Sequence, residues 1–419
     1  MSIVKSGQVY NIIDRVMGIM SSELLEHGQI VSYIFYKMLQ TDGTYSKQEL
    51  ADYAILGLLH DIGTMKTGYR KSLSAIETSE TWGHSIYGYL FLKYLSPVDD
   101  KAEIVLYHHL GYNKFKYIRS KYLKETDYLA LADKMDVFMR VADKAGMGQD
   151  YFHRQINIDF SEEALKMFHK AQSKYNITER LATGDYKHEL EVLFKKVEFS
   201  DKEIKEFLQM IVYSIDFRSQ QTVLHALGTT TYAEIVGTLA GLRGKKIEEI
   251  YYGALLHDIG KIAIPLEILE SPRRLTDQEM RVMKAHVLIT ERILENTIDN
   301  NIFRIASRHH EKMDGSGYPR GINGEELTLS EQVVAVADIL SALRGKRSYK
   351  DEMPKEKIID IISSDAANGK LNADLVKIVV NRYDDIMTFY DNRMSVTQST
   401  YMEILKQYDD IYDKFRKFE

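Results

Sequence analysis

Two series of histidines and aspartates run along this chain in the same order. His27, His60-Asp61, His84, His108-His109 and Asp133 lie in the first half. His225, His257-Asp258, His286, His309-His310 and Asp338 repeat them about 200 positions later. Each copy contains the hexapeptide LLHDIG, ending at Gly63 and at Gly260. Ten of the 13 histidines belong to these series, and the other three, His153, His169 and His188, lie in the segment that joins the halves. Imidazoles and carboxylates together suit iron, manganese, zinc or nickel, and with no cysteine in the chain no thiolate favours a softer ion. An adjacent His and Asp at the end of the apolar run YYGALL is costly to bury, and metal binding would offset that cost. Seven such groups exceed the need of one ion, so two divalent ions bridged by Asp258 are expected. Such a pair would activate water and clamp phosphate oxygens. Lys261, directly after HDIG, would stabilise the charge that builds on the phosphoryl group.

The residues around the second series fit that chemistry. HHEKMDGSGYPRGINGEEL follows Arg308, and its Gly315-Ser316-Gly317-Tyr318-Pro319 must be a shaped loop, because Gly permits positive φ and Pro fixes its own. Beside two ligand candidates, the loop reads as a wall of the pocket, with Tyr318 able to stack on a base or hydrogen-bond to a ligand. Arg347, Tyr349 and Lys350 follow the Asp338 segment, and Arg347 and Lys350 would bring positive charge to a second phosphate.

The elements that position these groups read as helices almost throughout. Val282, Met283, His286, Ile289 and Ile293 share one helical face; Ile302, Ile305, Ala306 and His309 share another; His84, Tyr87, Phe91 and Tyr94 form the matching stripe in the first half. No run of alternating strands is evident. The ordered repeat argues for duplication of one domain, with expected domains at 1–200 and 201–419. The fold expected is all-α, as two tandem helical units. The 419 residues suit two such units, and 44% hydrophobic with 28% charged residues is ordinary for a globular chain. The net charge of −6 and the lack of a long Lys/Arg run argue against a long nucleic acid partner, while a local basic pocket for a small phosphorylated ligand remains compatible. Without cysteine there is no disulfide framework or zinc finger. No apolar run is long enough to span a bilayer, and MSIVKSGQVYNIIDRVMGIM has no secretory pattern, so a cytoplasmic protein without a membrane partner is expected. The aromatic-rich tail is expected to pack as helices or to form a dimer face, which leaves a homo-oligomer open.

HDIGKIAIP, HHEKMDGSGYP and VAVADILSALRGKRSY resemble the HD-GYP family, a branch of the HD-domain metallophosphohydrolases, over about Phe207 to Met387. The resemblance implies an all-helical fold and a binuclear, sometimes trinuclear, iron or manganese site. It implies hydrolysis of a cyclic dinucleotide, foremost cyclic di-GMP to linear pGpG or GMP, with cyclic GMP-AMP preferred by some members. By motif match His225, His257, Asp258, His286, His309, His310 and Asp338 carry over as ligands, Lys261 as a phosphate contact, and Arg347 and Lys350 as contacts to the second phosphate. Two positions depart from the family. Gln221 stands where members with a third metal carry Glu, which predicts two metals in this half. Ser341 stands where an Asp commonly protonates the leaving oxygen, so that proton would come from water at the metals. A non-catalytic receptor, motivated by Ser341, and a phosphohydrolase for another nucleotide are the competing readings.

The first half resembles the broader HD family. It keeps the ligand series and adds Glu23, one helical turn before His27, which predicts two or three metals there. Asp136 stands three residues after Asp133, where the other half has Ser341. Thr64 replaces the lysine of HDIGK, and HHLGYNKF replaces the Gly-Tyr-Pro loop. This half therefore lacks the family's cyclic-dinucleotide pocket, and either a second active site or a regulatory or structural unit is compatible with it.

Overall fold

The computed structural model describes residues 3–67, 81–145, 150–219, 224–344 and 353–418. Every regular element among them is a helix, apart from the isolated bridges Ile156–Phe160 and Asp314–Asn323. The fold is all-α. None of the described helices is long and apolar enough to cross a membrane.

The helices used below are numbered in chain order. They are α1 (Ser6–Met20), α2 (Ser22–Asp42), α3 (Lys47–Leu58), α4 (Thr81–Leu95), α5 (Glu103–Tyr107), α6 (Leu123–Ala145), α7 (Asp201–Asp216), α8 (His225–Leu239), α9 (Lys245–Leu256), α10 (Asp277–Leu294), α11 (Asn300–Ser307), α12 (Leu329–Arg344) and α13 (Tyr383–Phe415). Their ends follow from local chemistry. Ser21 caps α2 by accepting from the Leu24 amide, and Gly43, at φ 79°, closes it. Ser46 with Glu49 and Thr276 with Glu279 form capping boxes that start α3 and α10.

Packing divides the chain into two compact units. One comprises Met1–Val16 with Leu208–Met402, and the other Met17–Phe207 with Glu403–Glu419. The sequence reading drew 1–200 and 201–419, so the two ends of the chain fall on the other side of that division. Particular contacts explain each. The Arg15 guanidinium donates to the carbonyls of Arg292, Ile293 and Glu295 at 3.1, 3.2 and 2.6 Å, satisfying the C-terminus of α10. At the other end Tyr408 stacks on Tyr87 with ring centroids 4.2 Å apart, and Phe415 packs edge-on against Trp82 at 4.8 Å.

In each unit a hydrophobic core fixes the helices that carry the ligand series. In the C-terminal unit Tyr232 and Val236 of α8, Ile250 and Ala254 of α9, Ile305 of α11 and Val333, Val336 and Leu340 of α12 are fully or almost fully buried together. Each large apolar side chain of this kind contributes on the order of 1.5–3 kcal/mol. The HDIG glycine then decides how closely the next helix approaches. A Cβ at Gly260 would lie 2.1 Å from the His286 carbonyl oxygen, and one at Gly63 would lie 1.9 Å from that of His84. Only glycine allows the HDIG turn to lie against the helix that bears the following histidine, and both units use it alike.

Candidate metal centre

The C-terminal ligand series comes from five elements. His225 opens α8, His257 and Asp258 follow α9, and His286 sits in α10. His309 and His310 follow α11, and Asp338 lies in α12. Three imidazoles are oriented in the same way. Nδ1 of His257, His286 and His309 donates to the carbonyl three residues back, Ala254, Met283 and Ala306, at 2.6, 2.6 and 2.7 Å. Each Nε2 is thereby left as the acceptor that faces inward. His225 is held differently, with its Nδ1 3.0 Å from the Ser341 hydroxyl, which itself donates to the His225 carbonyl at 3.2 Å.

The two carboxylates span the imidazoles. Asp258 Oδ1 lies 3.2 Å from His286 Nε2 and 3.9 Å from His309 Nε2. Its Oδ2 lies 3.1 Å from His257 Nε2 and 3.4 Å from His225 Nε2, and also receives Lys261 Nζ. Asp338 places Oδ1 3.0 Å from His225 and Oδ2 3.7 Å from His310. Two groups of donor atoms result, His225–His257–Asp258 and His286–His309–His310, each within 4.8 Å of one another. Buried atoms there lack the partners they need: Asp258 Oδ1 and His257 Nε2 have no hydrogen bond. Leaving such groups desolvated and unpaired is costly. A cation satisfies both at once, and the nitrogen-and-oxygen donor set fits a divalent metal.

Electrostatics favours positive charge in this pocket. Burial opposes ionisation of Asp258, yet His257 and Lys261 hold its carboxyl well below the usual carboxylate range. Burial likewise opposes charge on His257, but Asp258 and Asp338 lift it to about 10, so a proton on Nε2 takes the place that a bound cation would fill. Burial drives His310 down to about 4, which keeps that ring neutral.

The N-terminal series assembles in the same way. His60 and His108 donate Nδ1 to the carbonyls of Gly57 and Val105 at 2.8 and 2.6 Å. Nδ1 of His27 meets Asp136 Oδ2 at 2.7 Å, in the relation His225 has to Ser341. Asp61 Oδ1 faces His84 at 3.4 Å and His60 at 3.6 Å, while Oδ2 faces His27 at 3.8 Å. Asp133 spans His27 at 3.1 Å and His109 at 3.7 Å. The donor groups are Asp61–His84–His108–His109 and His27–His60–Asp133.

Other expected site residues fall differently. Glu23 is exposed in the first turn of α2 and stands outside the gathered donor atoms, in contrast to the ligand role expected for it. Its carboxylate suits the positive helix N-terminus there. Tyr318 stands over the site, its ring 4.6 Å from that of His310 and 4.7 Å from Lys284 Nζ. Gln221, Arg347, Tyr349 and Lys350 lie outside the described residues.

Two buried groups were missed by sequence reasoning. Glu311 accepts the backbone amides of Arg320 and Ile322 at 2.8 and 3.0 Å, folding the Gly-Tyr-Pro loop back over His310. Arg218 donates to the carbonyls of Ile262, Lys261 and Ile264 at 2.5, 3.4 and 3.4 Å, bracing the turn that carries Lys261. A charged residue directly after a ligand pair and another at the end of an apolar helix were the available signals.

Comparison of the chain with known proteins identifies its family. Models of the HD domain fit residues 24–138 and, separately, residues 209–375. The chain is a tandem HD-domain protein. It is homologous to HD-GYP phosphodiesterases that act on cyclic dinucleotides. The 3′3′-cGAMP-specific phosphodiesterase 1 of Vibrio cholerae serotype O1 is 24% identical over 395 residues, 89% of this chain and 90% of that one. A cyclic di-GMP phosphodiesterase of Thermotoga maritima is 33% identical over 234 residues, 53% of this chain and 61% of the relative. Of two further cGAMP-specific relatives the chain spans only about a third, 35% and 32%. A crystal structure of a cyclic GMP-AMP-specific phosphodiesterase from V. cholerae superposes with a TM-score of 0.57 at 17% identity, covering 91% of the tandem HD-domain chain and 98% of its own; that likeness is one of fold.

Proposed function

We propose that the C-terminal centre hydrolyses a phosphodiester bond of a cyclic dinucleotide. The observation that carries this reading is the placement of Asp258 between two imidazole groups, with Lys261 and Tyr318 beside it. Two divalent ions, iron or manganese, are the proposed occupants, held by His225, His257, Asp258, His286, His309, His310 and Asp338. Such a pair, when bound, supplies a nucleophilic water at neutral pH and neutralises phosphate oxygens.

The chain's own residues do the rest. Lys261 carries a positive charge that Asp258 holds in place, ready to turn toward a phosphate oxygen as charge develops there. Glu311 holds the loop that presents the Tyr318 ring as a surface for a base. Ser341, which stands where the family commonly has the leaving-group Asp, has its hydroxyl on His225 Nδ1; orienting that imidazole is its proposed role. Arg347 and Lys350 are proposed for the second phosphate.

Cyclic di-GMP is the substrate that the motifs favour. A relative that matches over nearly the whole chain is named for 3′3′-cGAMP, which supports that dinucleotide as the second candidate. The test is incubation of iron- or manganese-loaded, reduced protein with each dinucleotide and chromatography of the products. Linear dinucleotide or mononucleotide from either supports the reading, and the ratio of kcat/KM ranks the substrates. Absence of product from both, with metal bound, overturns it.

A further inference from the structure

The N-terminal centre repeats the ligands of the C-terminal one, but its surroundings differ on three counts. The first is access. In the C-terminal centre the side chains of His310, Lys261 and His225 retain 27, 15 and 14% exposure. In the N-terminal centre none of the seven ligand side chains exceeds 3%. Catalytic metal sites keep a coordination position open to substrate, whereas structural sites are closed.

The second is the wall of the pocket. Thr64, at the position of Lys261, is fully buried and its hydroxyl donates to the Asp61 carbonyl at 2.7 Å. Leu110, fully buried and apolar, stands where the other half has Glu311. The following residues are tied away from the ligands: the amides of Tyr112 and Asn113 donate to the carbonyls of Asp159 and Ile158 at 3.2 and 3.1 Å. No counterpart of Tyr318 stands over this histidine pair among the described residues. The unit's own tail covers its ligand-bearing helices instead. Tyr408 stacks on Tyr87 of α4, one turn after His84, and Phe415 stacks on Tyr107, directly before His108, at 5.9 Å.

The third is the cost of leaving the cluster without an ion. Both oxygens of Asp61, both of Asp133 and Nε2 of His108 are buried without a hydrogen bond. In the C-terminal centre only Asp258 Oδ1 and His257 Nε2 share that condition among the described residues. Five orphaned polar atoms in a sealed interior are compatible with a folded domain when a cation satisfies them.

We propose that the N-terminal cluster is a structural metal centre. Its ions tie α2, the HDIG turn, α4, α5 and α6 together through His27, His60, Asp61, His84, His108, His109 and Asp133, and the centre turns over no substrate. Asp136 orients His27 in it.

The test uses the full chain as wild type, Asp61→Asn and Asp258→Asn. Metal per chain, thermal unfolding and the rate of metal loss to a chelator are measured for each. Wild type is expected to lose its metal in two phases, fast from the open centre and at least tenfold slower from the sealed one. Asp61→Asn should lack the slow phase and unfold on the order of 5–10 °C lower. Asp258→Asn should lack the fast phase and unfold close to wild type. Dinucleotide turnover by Asp61→Asn should stay within about threefold of wild type. A single fast phase in the wild type overturns the proposal, and that readout holds even where Asp61→Asn fails to fold. Hydrolysis of bis-p-nitrophenyl phosphate that survives in Asp258→Asn and disappears in the double variant overturns it as well. The metal and unfolding readouts need no substrate, so they stand apart from the fate of the phosphodiesterase reading.

Discussion

Replacing Gly260 with alanine tests how the C-terminal centre is built without touching a ligand. The new Cβ would lie 2.1 Å from the His286 carbonyl oxygen, 2.6 Å from the Thr290 amide nitrogen and 2.9 Å from the Thr290 hydroxyl. Two of these are backbone atoms of α10, which no rotamer change can move. The helix must retreat by roughly 1 Å to restore ordinary contact in a close-packed interior. Its retreat also stretches the bonds through which the Thr290 hydroxyl accepts from the Gly260 amide at 3.1 Å and donates to the His257 carbonyl at 3.0 Å. Overpacking of this kind costs about 1–3 kcal/mol. The larger effect is on chemistry, because His286 Nε2 sits 3.2 Å from Asp258 Oδ1 and travels with α10. A misplacement near 1 Å lowers kcat/KM on the order of 100-fold. Gly63→Ala provides the internal comparison, since its Cβ would meet the His84 carbonyl at 1.9 Å in the other unit. It should lower stability and leave dinucleotide turnover nearly intact. Steady-state kinetics, metal analysis and unfolding of both variants decide the matter. Gly260→Ala with full metal content and kcat/KM within threefold of wild type would refute the packing argument.

Other outcomes follow from single contacts. Ser341→Ala removes the partner of His225 Nδ1 and should weaken metal retention or turnover about 10- to 100-fold, read by metal titration and kinetics. Lys261→Ala should lower kcat roughly 10²–10³-fold with metal content unchanged; unchanged kcat would remove Lys261 from the chemistry. Glu311→Ala frees the amides of Arg320 and Ile322 and should raise KM for the dinucleotide more than it lowers kcat. Burial pushes Asp127 up to about 6, although Ser161 donates to it. Its folded-state value exceeds the unfolded one, so its contribution to stability is fully present below about pH 4 and is lost as pH rises through about 6. Asp127→Asn should flatten that slope in unfolding measured from pH 4 to 7.

Much of this was legible in the sequence because metal ligands impose order. Ten histidines recurring in order with LLHDIG pointed to two metal-ligand clusters, and the helical stripes through His84 and His286 run through histidines that the structure buries, whereas His309 lies in the turn after α11 rather than on its face. What was illegible depends on contacts distant in sequence. The i, i+4 spacing of Glu23 and His27 suggested a shared ligand face, but Glu23 belongs to the exposed first turn of α2. By position Asp136 matches the family's proton-donating Asp and Ser341 departs from it; only folding shows each against Nδ1 of the first histidine of its series. Arg218 braces the Lys261 turn from 44 positions away, and no local pattern announces such a clamp. The division of the units was equally hidden, because it rests on Arg15 reaching the end of α10, 277 positions on, and on Tyr408 stacking against Tyr87.

Anomalous X-ray scattering from crystals grown anaerobically with iron or manganese addresses the account most directly. It predicts a pair of metal peaks about 3.5–4 Å apart on either side of Asp258, within reach of His225 and His257 on one side and His286, His309 and His310 on the other. A well-ordered map with those side chains in place and no anomalous density between them would contradict it.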